Sequence, residues 1–168
     1  MFNTTKQMSN ATRHLFSCAI LTLMILLQPK KEHIKDGIYH IPVGTTEIGG
    51  GAFVNSEDFT FDIKGIIIPE GVIKIGDSAF FDCFTDIKEI VLPSTINEIG
   101  KDAFWALDSV KRVVINSHIK TMGNYAFCNM PNDFEIVFTK EEFFTPKIWP
   151  HNWRHDSRVF IQCEQPED

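Results

Sequence analysis

The sequence predicts an α/β solenoid, in which short parallel strands and compact helical or 3₁₀ turns wind into stacked coils. Three observations carry that expectation. Four times the chain repeats one phrase: Ile41-Pro42 runs to Ala52-Phe53, Ile68-Pro69 to Ala79-Phe80, Leu92-Pro93 to Ala103-Phe104, and Ile115-Asn116 to Ala126-Phe127. The gap is 11 residues in every copy. A glycine stands three residues before each Ala-Phe pair, at Gly49, Gly76, Gly100 and Gly123. Such a repeat marks units that bury their apolar faces only against one another.

In chain order, residues 1–28 come first, with two basic residues, Lys6 and Arg13, no acid, and the apolar run Leu15 to Leu27. A run of 13 residues matches a signal-peptide core and is short for a membrane span. No small-x-small cleavage site follows it. Gln28-Pro29-Lys30-Lys31 stands there instead, so an uncleaved anchor competes with the signal peptide, and a cap over the first coil is a third reading. Cys18 precedes most of the run, which argues against a lipoprotein box.

Residues 29–138 read as about four coils plus a partial fifth. Counted from the residue before Pro, apolar side chains recur at offsets of four, seven, eleven and twelve, as at Ile96, Ile99, Ala103 and Phe104. Neither alternation nor a helical period gives that spacing. A strand, a turn, a second short arc and a compact turn do. Ile87 to Leu92 and Val110 to Ile115 are rich in β-branched residues, with Ile90 and Leu92, or Val113 and Ile115, pointing inward. Ile66 with Ile68, and Ile136 with Phe138, fill the same roles. The glycine after the second arc is expected to supply positive φ at a tight bend. Proline at the strand end removes a donor that the ladder no longer needs. The spacings between Ala-Phe pairs are 27, 24 and 23 residues, so insertions fall on one edge, with residues 54 to 62 expanded.

Residues 139–168 are expected to form an aromatic C-terminal cap around Trp149, Pro150 and Trp153. His151 and His155 stand four apart there and would share a helical face. Asn152 occupies the place where a metalloprotease carries Glu, and a zinc site needs three or four ligands. Asp156 is a third ligand on spacing alone. No nucleophile elbow or phosphate loop is present, and Gly49-Gly50-Gly51 lacks the Lys-Ser/Thr partner of a phosphate cradle. The chain therefore reads as no enzyme, with no cofactor.

Formal net charge is −6, and −8 without the leader's two bases, which disfavours nucleic acid as a partner. Cys18, Cys83, Cys128 and Cys163 have no CxxC spacing, so neither a zinc knuckle nor a dense disulfide framework is indicated. Cys83 and Cys128 read as small buried side chains, with a disulfide between them left open.

The outer side of the strands is the candidate binding surface. Between the inward positions lie Ile67, Val91, Val114 and Val137, with His40 in the first coil; two residues earlier run Gly65, Glu89, Arg112 and Glu135. An exposed aliphatic stripe beside an alternating charge ladder suits a protein contact. The competing explanation is that β-branched residues simply suit strands and the charges pair across them.

The run Ile68-Pro69, Val72, Ile75-Gly76, Ala79-Phe80, Cys83, Ile87, Ile90 and Leu92-Pro93 resembles the BspA-type leucine-rich repeat family. The likeness covers about residues 37 to 138, with departures at Thr45, where the family has an apolar residue, and at Asn116, where it has Pro. It implies a right-handed leucine-rich-repeat superhelix of parallel strands. It also implies a non-catalytic protein-binding module, secreted or on the cell surface, with adhesive surface proteins of bacteria and some protists among its relatives. The expected partner is a protein, such as one on a host or cell surface, and a membrane is touched only through the N-terminal segment. The alternatives are a structural or self-assembling scaffold, cytoplasmic if the leader is no signal, and, more remotely, a metal-dependent activity at the His pair.

Overall fold

The structure is a computed structural model that describes residues 30–54, 63–84, 86–154 and 160–163. The leader, His155 and Asp156 lie outside them. The described chain opens with a hairpin between β1 (Ile34–Lys35) and β2 (Ile38–His40), paired antiparallel. Its two-residue turn, Asp36-Gly37, has φ of 52° and 78°, the doubly positive pattern that matches the twist of a hairpin.

From there the chain coils. Each coil contributes one strand to a first arc: β2, then β4 (Gly65–Ile67), β6 (Glu89–Leu92), β8 (Arg112–Ile115), β10 (Glu135–Phe138) and β11 (Phe160–Cys163). A second arc holds the two-residue strands β3 (Glu47–Ile48), β5 (Lys74–Ile75), β7 (Glu98–Ile99) and β9 (Thr121–Met122). Both arcs pair in parallel, with equivalent residues in register: Ile90↔Val113↔Ile136 in the first and Ile48↔Ile75↔Ile99↔Met122 in the second.

The Ala-Phe segments make a third file of bonds between coils. Phe53 N–H donates to Ala79 O, Phe80 to Ala103, Phe104 to Ala126 and Phe127 to Trp153, at 2.8–2.9 Å. Because these donors reach the neighbouring coil, they are not free for bonds within a helix. Left-handed residues also bracket the second to fourth segments, at Ser78 and Asp82, Asp102 and Ala106, and Tyr125 and Asn129. Both facts correct the α/β expectation. Among the described residues the coils hold tight turns and no α-helix, and the 3₁₀ turns (Lys31–His33, Glu141–Phe143, Pro146–Ile148) precede β1 or follow β10. The fold is a parallel β-solenoid of about four turns.

A second correction concerns the repeated glycines. Positive φ falls at Gly51, Ser78, Asp102 and Tyr125, not at Gly76, Gly100 or Gly123. Those three are glycine because a Cβ would strike the backbone of the preceding coil; at Gly100 it would lie 2.6 Å from Asp77 N and from Gly76 C.

The core lies between the arcs. Phe53, Phe80, Phe104 and Phe127 form a column with ring centroids 5.0, 5.2 and 4.9 Å apart, close to the ~4.8 Å spacing of paired strands. A perpendicular ring closes each end: Tyr39 on Phe53 at 88° and Trp153 on Phe127 at 87°, the edge-to-face geometry aromatic pairs favour. Burial raises the Tyr39 hydroxyl pKa, and His33 Nδ1 lies 3.0 Å from that oxygen. Trp149 is buried as well and donates its indole N–H to Ile119 O at 3.0 Å.

The first arc is interrupted once. Pairing joins β1, β2 and β4 on one side and β6, β8, β10 and β11 on the other. Side chains bridge the two coils there: the Ser94 N–H and hydroxyl both donate to the Glu70 carboxylate, and Thr95 Oγ accepts from Gly71 N–H and donates to Val72 O. The second arc stays continuous through Lys74↔Glu98.

Candidate functional surface

The inward positions of the first arc are filled by Ile66, Ile68, Ile90, Leu92, Val113, Ile115, Ile136 and Phe138, all buried. Strand alternation therefore turns the residue between each pair outward. Pairing places Val91, Val114 and Val137 side by side in one row, and Ile67 beside His40 in the sheet across the interruption. Glu89, Arg112 and Glu135 likewise lie in one row. Arg112 Nε is 3.6 Å from Glu89 Oε2, so part of the charge ladder is an ion pair at the protein surface.

Exposure within the aliphatic row is uneven, which corrects the expectation of a uniform stripe. Ile67 is 47 % exposed and Val91 45 %, whereas Val114 is at 9 % and Val137 at 0 %. The difference follows position along the arc. Ile67 and Val91 stand on β4 and β6, which border the interruption, while Val114 and Val137 stand on β8 and β10, each hydrogen-bonded to a strand on both sides. The accessible apolar part is thus centred on the second and third coils.

The outward residues of the second arc differ: Glu47, Lys74, Glu98 and Thr121 present charge and hydroxyl. Lys74 Nζ lies 3.1 Å from Glu47 Oε1, and that hydrogen bond, followed by the direct charge attraction, raises the lysine's pKa. On a neighbouring edge, Lys111 bonds Asp133 and holds its carboxyl below the usual range. Among the described residues the second arc has one exposed aliphatic between its inward positions, Ile73 at 47 %, whereas the first arc has two in successive coils, Ile67 and Val91.

The other candidates fare as follows. His151 is exposed, and its proposed partners His155 and Asp156 lie outside the described residues. Among the described residues no three His, Cys, Asp or Glu side chains come together as a metal site. Cys83 and Cys128 are both free thiols; burial pushes the Cys83 thiol well above its ordinary pKa. Thr45 is buried in its apolar-type position. Asn116 replaces Pro and donates its side-chain amide to Leu92 O at 3.0 Å.

One set of residues went unread in the sequence. Phe81 and Trp105, each directly after an Ala-Phe pair, lie parallel at 6.2 Å between centroids, and Tyr125 meets Trp105 edge-on at 6.0 Å. The signal was present as the doubled aromatics Phe80-Phe81 and Phe104-Trp105.

Stacked parallel strands with a core column of phenylalanines and a displayed outer sheet define a repeat solenoid, a class of scaffold that works by presenting side chains on a rigid surface. The family model described as "BspA type Leucine rich repeat region (6 copies)" matches residues 46–144. The chain belongs to the BspA-type leucine-rich repeat family. No curated protein and no solved structure matches it.

Proposed function

We propose that this chain is a non-catalytic protein-binding module whose contact surface is the outer face of the first arc. Ile67 and Val91 form its apolar centre, with Glu89, Arg112 and Glu135 beside them and Val114 at the margin. Val137, being buried, contributes to the sheet and not to the contact. The observation that carries this reading is the pair of half-exposed aliphatics in adjacent coils of a sheet whose inward residues are all buried. Such a pair gains by being covered. The family is generally one of recognition by repeats, which supports a role without chemistry. Export to the cell surface belongs to the same reading, through the leader. Among the described residues no helix is long and apolar enough to cross a membrane.

The test is photo-crosslinking in the native source cells, from a reactive side chain at position 67 or 91 and, as a control, at Lys120. The expected result is an adduct with one defined protein from 67 and 91 and none from 120. Ile67→Lys with Val91→Lys should abolish that adduct while leaving the urea midpoint unchanged. Equal crosslinking from all three positions would refute the assignment, and an adduct of twice the chain's mass would replace it with self-assembly. The fraction holding the protein and its N-terminal residue by mass spectrometry test export in the same preparation.

A further inference from the structure

We propose that the aromatic file Phe81, Trp105 and Tyr125, with Asp82 and Asp102 beside it, is a second docking surface that takes an arginine- or lysine-bearing segment of a protein partner. It lies on the Ala-Phe turns, away from the sheet face assigned above, and does not depend on that assignment.

The core column accounts for Phe80, Phe104 and Phe127. It does not account for these three rings. They neither belong to the buried core nor pack against it, and each is only half-buried. Tyr125 also stands at φ 57°, a left-handed conformation that is unfavourable for a bulky side chain. The equivalent places in the other coils hold Gly51, Ser78 and Asp102, residue types better suited to it. An aromatic ring kept in that position, outside the core, points to a role in contact.

The ring geometry leaves room for a partner. The parallel rings of Phe81 and Trp105 have centroids 6.2 Å apart, wider than the 4.9–5.2 Å of the core column, and both side chains stay half-exposed. Charge then selects the partner. Asp82 donates its backbone N–H to Trp105 O, and Trp105 donates its own to Asp102 O, which sets the two acidic residues on either side of the indole's backbone. Among the described residues Lys101 pairs with one of them, its Nζ 3.5 Å from Asp102 Oδ2. A guanidinium lies flat on an aromatic face while forking to a carboxylate, and Trp, Tyr and Arg are the commonest anchors of protein contacts.

Calorimetry on the full chain tests this with three probes: a (Gly-Arg)₄ peptide, a (Gly-Glu)₄ peptide and neutral cellohexaose. Saturable binding of the arginine peptide alone is expected, weakened about tenfold or more by Trp105→Ala and by Asp82→Asn with Asp102→Asn. Asparagine tolerates left-handed backbone, so the second variant removes charge without straining the turn and keeps the test decisive if the first fails to fold. Glu141→Gln with Glu142→Gln removes two charges elsewhere and should leave binding unchanged. Unaltered affinity in the Asp82/Asp102 variant, equal loss in the Glu141/Glu142 variant, or saturation by cellohexaose without the arginine peptide would each overturn the proposal.

Discussion

Gly100→Ala isolates the force that keeps the coils at their spacing. Gly100 has no positive φ, so alanine is acceptable to its own backbone and any cost must come from the stack. The new Cβ would stand 2.6 Å from both Asp77 N and Gly76 C, against an ordinary contact beginning at 3.4 Å. Those atoms are backbone and cannot rotate away. The third and second coils must part by about 0.8 Å at this point. Three hydrogen bonds cross it, each at 2.8 Å: Gly100 N–H to Ile75 O, Ser78 N–H to Lys101 O, and Lys101 N–H to Asp77 Oδ1. At about 1 kcal/mol each, their loss amounts to about 3 kcal/mol, offset by ~0.4–1 kcal/mol because alanine restricts the unfolded chain. The expected net loss is about 2–3 kcal/mol. Gly71→Ala is the matched control, with φ +98° and nothing within 4 Å of the added carbon; it should cost only the left-handed penalty, about 1–2 kcal/mol. Urea unfolding of both variants decides the matter. Should Gly100→Ala lose no more than Gly71→Ala, the claim that glycine is there for close approach of backbones fails.

Phe104→Ala should cost about 3–5 kcal/mol in the same assay, because its ring is fully buried between Phe80 and Phe127. Ala106→Gly should stabilise by up to about 1 kcal/mol, since Ala106 sits at φ 55° and glycine relieves that conformation; a lower melting temperature would contradict this. Glu70 has its pKa lowered chiefly by the Ser94 backbone hydrogen bond. Its contribution is therefore present above the ordinary carboxylate pKa and lost as pH falls through the depressed folded value. Wild type and Glu70→Gln should accordingly differ in melting temperature near neutrality by the equivalent of about 0.5–1 kcal/mol, and converge in acid.

The parts of this fold legible in the sequence are those where one residue does the same job in every coil. The Phe column and the inward pairs of the first arc repeat at constant offsets because stacking brings equivalent residues face to face. Two things were misread because they depend on where hydrogen bonds go. The Ala-Phe turns have the spacing of a helical turn, yet their N–H groups donate to the next coil. Glycine suggested a conformation where the cause was contact with a neighbouring backbone. Asp36-Gly37 is a hairpin signal legible in the sequence, standing just before the repeat begins. Exposure of the aliphatic row is not legible locally: nothing in the neighbouring residues distinguishes Val91 from Val137, which differ in their place along the stack.

Repetition within a single chain also separates folding requirements from other demands. Where stacking dictates the residue, the coils agree, as at Phe53, Phe80, Phe104 and Phe127. Where only backbone conformation matters, small and turn-forming residues interchange, as at Gly51, Ser78 and Asp102. Tyr125 fits neither rule, because it is bulky in the second kind of column and lies outside the core that rules the first. Ile67 and Val91 depart in the same sense, as aliphatics exposed in successive coils on a face whose counterpart in the second arc carries charge and hydroxyl beside the single exposed Ile73. A residue that costs the folded chain something, or leaves apolar area in water, asks for a contact outside the coil. On the two proposed surfaces such residues recur in successive coils.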